Sequence, residues 1–373
     1  MDILSVVRSE CLGLSSYVAG RPISTIKREL GLSSVIKLAS NENPLGSSLA
    51  AISAIRENLR DTYLYPDADG YELKNAISVK YGISRENIFL GAGGDEIIDM
   101  VAKLFFNSND EVVVSKHTFV QYKRAIQLMG SKMVAVDMSS DFVHDLDSMS
   151  KFCNKNTKAI FITNPNNPTG TYNTKAELDR FLKNLPVNKF GIKPIVILDE
   201  AYFEYAVDNE DYPDGLSFLK ENPNLIVLRT FSKIYGLAGL RVGYGFASKE
   251  VVDFINRVRL PFNVNAVAQV AASAAIFDTE HVLKSCRLVR EEKEYLYSEF
   301  DSAKITYLKS ASNFILCQTL PLSGKEVFLG LIRDGIITRS VEEYDLQFWL
   351  RVTIGKHEEN EFFIKKFRNI LKK

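Results

Sequence analysis

The chain has 373 residues, enough for two domains or for one large domain with a smaller companion. Hydrophobic residues make up 46% and charged residues 25%, the balance of an ordinary soluble globular protein. Lys plus Arg and Asp plus Glu both number 46, so no global field favours nucleic acid, an anionic membrane surface or an acidic polymer.

The first ten residues carry Asp2 and Glu10 and no long apolar core, so they do not read as a secretory leader. No run approaches the ~20 apolar residues needed to span a bilayer. Cys11, Cys153, Cys286 and Cys317 lie far apart, without CxxC pairing or metal-ligand spacing, and are expected to be reduced thiols of a cytoplasmic protein. His117, His144, His281 and His357 are equally scattered and form no HExxH, which argues against a zinc centre.

From about residue 85 onward, short β-rich runs alternate with helical patterns. Strands are predicted over 88–90, 111–115, 132–136, 159–163, 195–198, 225–228 and 243–247, with helices over 97–106, 119–129 and 175–185 among them. Several of the runs are continuously apolar rather than alternating, as in strands covered on both faces. That order predicts an α/β domain with a mostly parallel central sheet. After residue 247 the pattern changes. Helices are predicted over 249–260, 264–277, 281–300, 325–333 and 358–371, with short strands over 305–308, 314–318, 336–338 and 348–353. We therefore expect a large domain over 42–262 and a smaller α+β unit formed by 263–373 with the N-terminal arm 1–41.

In an open α/β sheet, ligands bind outside the carboxyl ends of the strands. Four polar segments fall just past such ends. Gly91-Ala92-Gly93-Gly94-Asp95-Glu96 follows the first predicted strand, and Asn164-Pro165-Asn166-Asn167-Pro168-Thr169-Gly170 follows the fourth. Asp199-Glu200-Ala201-Tyr202 closes the fifth, and Thr230-Phe231-Ser232-Lys233 follows the sixth, with Arg241 eight positions beyond Lys233. Each segment has a bland meaning by itself. An aspartate after an apolar strand is usually a cap or turn former, and Asn, Pro and Gly punctuate turns everywhere. The glycine cluster fails the GxGxxG spacing and has no Walker lysine. Their convergence on one crevice is harder to dismiss. An amine, a hydroxyl, a guanidinium and an acid at strand ends suit a covalently held, phosphorylated aldehyde cofactor.

The NPNNPTG, DEAY and SKxxxLAGLRxGY elements resemble those of the fold-type I pyridoxal-phosphate enzymes. The resemblance is nearest to the histidinol-phosphate aminotransferase branch, and it extends from Tyr17-Val18-Ala19-Gly20-Arg21-Pro22 through Asn41-Glu42-Asn43-Pro44-Leu45-Gly46 and Tyr65-Pro66-Asp67 to Arg351-Val352-Thr353-Ile354-Gly355. It implies pyridoxal 5′-phosphate carried on Lys233, whose amine, once freed, would move a proton between the substrate carbon and cofactor C4′. Asp199 would keep the pyridine nitrogen protonated, and Asn167 and Tyr202 would hydrogen-bond the 3′-oxygen. Backbone amides of Gly93, Gly94 and Asp95 at a helix N-terminus, with Ser232, Arg241 and Thr230, would bind the phosphate. Phe119 would stack on the ring.

The resemblance further implies a homodimer in which Tyr65 reaches the second subunit's site. Arg351 and Arg339, with Tyr17 and Asn43, would form an anion pocket for the substrate, because guanidinium forks suit both carboxylate and phosphate. Ala19, His117 and Gly94 depart from the family's usual residues. The expected reaction is amino transfer between glutamate and imidazole acetol phosphate, giving 2-oxoglutarate and L-histidinol phosphate. An aromatic amino acid aminotransferase, a decarboxylase of a phosphorylated amino acid and a non-catalytic cofactor-sensing regulator are the alternatives, the last disfavoured because no segment remains for binding DNA.

Overall fold

A computed structural model of the chain describes residues 3–14 and 23–372, so Tyr17 lies outside the described residues. In chain order the strands are β1 (Ile36–Lys37), β2 (Ile88–Gly91), β3 (Glu111–Ser115), β4 (Lys132–Val136), β5 (Thr157–Thr163) and β6 (Ile195–Asp199). They continue with β7 (Leu225–Thr230), β8 (Gly243–Phe246), β9 (Phe314–Gln318), β10 (Ile336–Ile337), β11 (Arg339–Ser340) and β12 (Trp349–Thr353).

Seven strands form one sheet in the order β2-β8-β7-β6-β5-β3-β4. All run parallel except β8, which is antiparallel to both β2 and β7. Every residue of β6 and β7 is buried, which explains why their sequences are continuous apolar runs. Their side chains alternate between two packed layers. Ile195, Ile197, Ile226 and Leu228 meet Ile97 and Val101 of helix Gly94–Phe105 and Val252 and Ile255 of helix Lys249–Val258. Val196, Leu198 and Val227 share the opposite layer with Leu178, Phe181 and Ala272.

A smaller antiparallel sheet has the order β11-β12-β9, and β1 pairs in parallel with β10. The chain leaving β1 is tied to both, since Leu38 N donates to Ile337 O (2.7 Å) and Thr353 N donates to Leu38 O (2.9 Å). The larger apolar cluster runs without a break into Phe314, Leu350, Val352 and Phe363. Among the described residues, no helix is long and apolar enough to cross a membrane.

The strand expected at 305–308 is not formed; only Tyr307 bridges Cys317. Chain reversal after the helix Thr279–Ser302 places Lys304 in the left-handed region, at φ +55°, where a strand cannot run. Helices Leu49–Asn58, Tyr71–Tyr81 and Leu146–Phe152 had no predicted counterpart.

Behind the strand ends, Arg229 of β7 is fully buried. Its Nε and Nη2 donate to Glu200 Oε2 at 2.9 and 2.7 Å, and Nη2 also reaches Asp214 Oδ1 at 2.7 Å. The guanidinium carbon sits 3.4 Å from the Phe203 ring centroid. Burial pushes the Glu200 carboxyl up to about 7, and Arg229 is the nearest cause opposing that rise. This pair anchors the turn that follows Asp199. Replacing Arg229 with Met leaves a buried acid without its cation and should cost about 3–5 kcal/mol, read as a lowered urea midpoint; an Arg229→Met/Glu200→Gln double variant should recover part of it.

Candidate active site

The carboxyl ends of β5, β6 and β7 open on a cavity of about 290 Å³. Lining it are Gly94, Asp95, Phe119, Asn167, Asp199, Tyr202, Thr230, Ser232, Lys233, Arg241, Arg339 and Arg351, each named from sequence. The asparagine-rich loop is folded by its own amides. Asn164 Oδ1 accepts from Asn173 N (2.7 Å), and Asn166 Nδ2 donates to His117 O (2.8 Å) and Thr169 Oγ1 (2.9 Å). Asn167 is left to line the cavity.

Asp199 ends β6 with its carboxylate buried. Tyr122 donates its hydroxyl to Oδ2 (2.7 Å), and Ala201 N donates to Oδ1 (3.1 Å). Burial raises its pKa to about 6 despite these two donors. Lys233 is shifted the other way. Burial, reinforced by Arg351, lowers its amine to about 8, with Glu42 opposing, and Nζ donates to Ser40 O at 3.2 Å. Tyr202 is pushed up to about 12 by burial, and its hydroxyl accepts from Asn41 Nδ2 at 2.8 Å.

Two anion-ready regions flank these groups. Helix Gly94–Phe105 begins at Gly93, which has φ +81° and no side-chain cap, so its first amides are unclaimed by a capping side chain. Arg241 lies against this end: Nη2 is 3.3 Å from Asp95 Oδ2, and a Cβ on Gly93 would collide with the guanidinium. Ser232 Oγ accepts from Thr230 Oγ1 at 3.0 Å. On the other side, Arg351 Nη1 donates to Asn167 Oδ1 (2.5 Å) and Nη2 to Ala39 O (2.7 Å), while its buried Nε has no partner among the described residues. Arg339 is paired with Glu343.

Among the described residues, three that were named from sequence do not line this cavity: Gly93, which adjoins it as the helix cap against Arg241, Asn43 and Tyr65. Asn43 is committed elsewhere, because Nδ2 donates to Ile234 O (2.7 Å) and Ser285 Oγ (2.8 Å) and Oδ1 accepts from Leu45 N (2.9 Å). It joins separate segments and does not line the cavity. Tyr65 is 82% exposed and stacks on Phe262, with ring centroids 4.7 Å apart. Sequence reasoning passed over Ser40, Asn41, Glu42, Thr163 and Tyr344, which also line the cavity, and Tyr122 behind Asp199. Tyr122 stands three residues after Phe119 at the start of helix Val120–Leu128, a spacing that could have linked the two.

The aminotransferase class I and II model matches residues 33–367. The chain is 46% identical over 365 residues to the histidinol-phosphate aminotransferase of Moorella thermoacetica, covering 98% of this chain and 92% of that one. With the enzyme of the same name from Caldicellulosiruptor saccharolyticus it shares 44% identity, covering 96% and 98%. It belongs to the class I and II aminotransferases. Within that family, the fold superposes on a Sinorhizobium meliloti histidinol-phosphate aminotransferase crystallised with pyridoxal-5′-phosphate, at TM-score 0.86, 23% identity and coverage of 99% and 98%. An L-threonine-O-3-phosphate decarboxylase from Porphyromonas gingivalis has the same fold, at TM-score 0.79, 19% identity and coverage of 91% and 100%. The architecture alone therefore does not choose the reaction.

The residues of this aminotransferase fit pyridoxal 5′-phosphate. A buried carboxylate with a raised pKa wants a cation, an amine held near 8 is available as a nucleophile, and a capless helix start beside a guanidinium wants an anion. Gly93→Ala should weaken cofactor affinity about tenfold or more, because the new methyl displaces Arg241 and strains a left-handed residue; fluorescence titration of the cofactor-free protein measures it.

The raised pKa of Asp199 also predicts a pH effect. Folding favours its protonated form, so its stabilising contribution is complete below 3.8 and lost as pH rises through about 6. Cofactor-free Asp199→Asn should accordingly gain on the parent by about 2 kcal/mol between pH 4 and pH 7, seen in paired thermal melts, while binding cofactor poorly.

Proposed function

We propose that the chain is a pyridoxal-phosphate-dependent histidinol-phosphate aminotransferase that passes an amino group between glutamate and imidazole acetol phosphate. The observation that carries this reading is the pairing of buried Asp199 and half-buried Lys233 at adjacent strand ends, in a cavity that also holds Arg241, Arg339 and Arg351. The full-length kinship with enzymes of that name supports the substrate. Bound there, the cofactor supplies the electron-withdrawing ring that takes up the electron pair released when the substrate's carbon–hydrogen bond breaks.

The chain's own groups set the conditions for that step. Asp199 holds a proton on the ring nitrogen, for which its buried carboxylate is the counter-ion. Lys233 carries the cofactor and, when displaced, moves the proton; an amine lowered to about 8 is neutral in a useful fraction near neutral pH. Arg351 ties up Asn167 Oδ1, which leaves Asn167 Nδ2 as a donor for the 3′-oxygen beside Tyr202. Ser232, Thr230, Arg241 and the amides of Gly93, Gly94 and Asp95 bind the cofactor phosphate, with Phe119 against the ring. Arg351 and Arg339 bind the substrate's phosphate or carboxylate, and the unpartnered Arg351 Nε supports an anion there. The resemblance also implies a substrate-binding role for Tyr17, which lies outside the described residues.

We also propose a cytoplasmic homodimer. Tyr63, Leu64, Tyr65, Leu260 and Phe262 are exposed hydrophobics that a second copy would cover, bringing Tyr65 to the neighbouring site. Residues 42–262 form the cofactor-binding domain, and 1–41 with 263–373 the smaller one.

Mixing the holoenzyme with L-histidinol phosphate should convert its absorbance to that of the amine form, and 2-oxoglutarate should restore it without release of carbon dioxide. Phenylalanine and tyrosine should react more slowly. Lys233→Ala should lose about 10⁴-fold or more in turnover. Failure of histidinol phosphate to convert an active preparation would contradict the assignment.

A further inference from the structure

Asn41 is 1% exposed and sits in the left-handed region at φ +56°, a conformation that asparagine tolerates better than most residues. Its polar groups are all engaged. The backbone N–H donates to Thr353 Oγ1 (2.9 Å), and the backbone carbonyl accepts from Asn313 Nδ2 (3.0 Å). In the side chain, Oδ1 accepts from Thr353 Oγ1 (3.0 Å) and Nδ2 donates to the Tyr202 hydroxyl (2.8 Å).

One arrangement of protons satisfies all of these groups. With Oδ1 towards Thr353 the hydroxyl proton has an acceptor, whereas a reversed amide would set two N–H donors on Thr353 Oγ1 and, among the described residues, leave that buried proton with no acceptor. The end facing Tyr202 is then Nδ2, which can only donate. The phenol oxygen is therefore the acceptor, and its own proton must point elsewhere. Among the described residues the Tyr202 hydroxyl has no other recorded hydrogen bond, and the side chain lines the cavity.

We propose that Asn41 is a positioning residue that aims the Tyr202 hydroxyl proton into the cavity, at the 3′-oxygen of the bound cofactor. The inference rests on the proposed role of Tyr202 and goes beyond it, by assigning the direction of its proton to a residue from the segment after β1. Thr353 and Asn313 flank Asn41 from the smaller sheet and the chain entering it, so the setting of Tyr202 depends on how that sheet docks. Besides Asn41, the charged groups that act on Tyr202 are Arg351 and Asp199, and Lys233 Nζ lies 5.6 Å from its ring centroid.

Asn41→Asp keeps the shape and tolerates the backbone, but turns the donor into an acceptor that draws the phenol proton back. A hydrogen bond donated to the 3′-oxygen favours its most anionic form, so losing the bond raises the pH at which the bound cofactor's visible absorbance changes. The test is a double-variant cycle on holoenzyme, with Asn41→Asp made in the Tyr202 and the Tyr202→Phe backgrounds and the absorbance titrated against pH. The new charge raises the midpoint in both backgrounds. The proposal expects the rise to be about one pH unit larger with Tyr202 present.

Equal rises in the two backgrounds would overturn the proposal. A Tyr202→Phe variant whose midpoint does not move would instead overturn the role of Tyr202 itself. Should Asn41→Asp fail to fold, Asn41→Gly enters the same cycle, since glycine accepts φ +56° and removes the donor without adding charge. It too should raise the midpoint only when Tyr202 is present, and a rise that persists in Tyr202→Phe overturns the proposal.

Discussion

A carboxylate held out of water without a cation is the constraint around which this molecule is organised. Asp199 lies at the end of a wholly buried strand, and two hydrogen bonds do not offset its loss of solvent. The same burial lowers the Lys233 amine to about 8, and Lys233 comes last among the causes that act on Asp199, so it is a weak counter-ion for that carboxylate. A cationic ring placed between the two would relieve both at once: the acid gains its partner, and the amine becomes a covalent anchor rather than a second unsolvated charge. Ligand binding and folding are thereby linked, because a site that is costly when empty is stabilised by whatever fills it.

The charges around the rim follow a related logic. Arg241 leans on Asp95, Arg339 on Glu343, and Lys37 on Glu42 at 2.6 Å, so these cations are held in place by acids that an incoming phosphate or carboxylate would displace. Arg351 differs. It is buried, uses its two terminal nitrogens on protein oxygens and keeps Nε unpaired, which makes it part of the scaffold as well as of the anion site. Rigid support comes from the layer behind, where Arg229 and Glu200 fix the turn that presents Asp199 and Tyr202.

The parts legible in the sequence were those where local chemistry and global role coincide. Continuous apolar runs mark strands covered on both sides, and Asp199, which ends one of them, falls at the crevice; Lys233 stood out as an amine just past another strand, and Asn167 was named through the family resemblance. Helix Tyr71–Tyr81 was missed because its apolar face is short, with buried Leu73, Ala76 and Ile77 interrupted by Lys74, itself buried through a 2.6 Å bond to Asp69. The expected strand at 305–308 is reduced to a single bridge to β9, held by Leu308 N to Leu316 O (2.9 Å) and Gln318 N to Thr306 O (2.8 Å), while Tyr307 stacks on Tyr297 at 4.8 Å. Asn43 and Asn41 belong to one motif but take opposite roles, one joining segments and one reaching the site. That division depends on a left-handed residue and on partners about 312 positions away, which no local pattern encodes.

The account is tested most directly by ¹⁵N NMR of holoenzyme carrying cofactor labelled at the ring nitrogen. Asp199 predicts a protonated nitrogen, shifted far from the neutral pyridine position, throughout the pH range in which the enzyme turns over. A resonance at the neutral position at the pH of maximal activity would contradict it, because the buried carboxylate would then have no cation and no part in the chemistry.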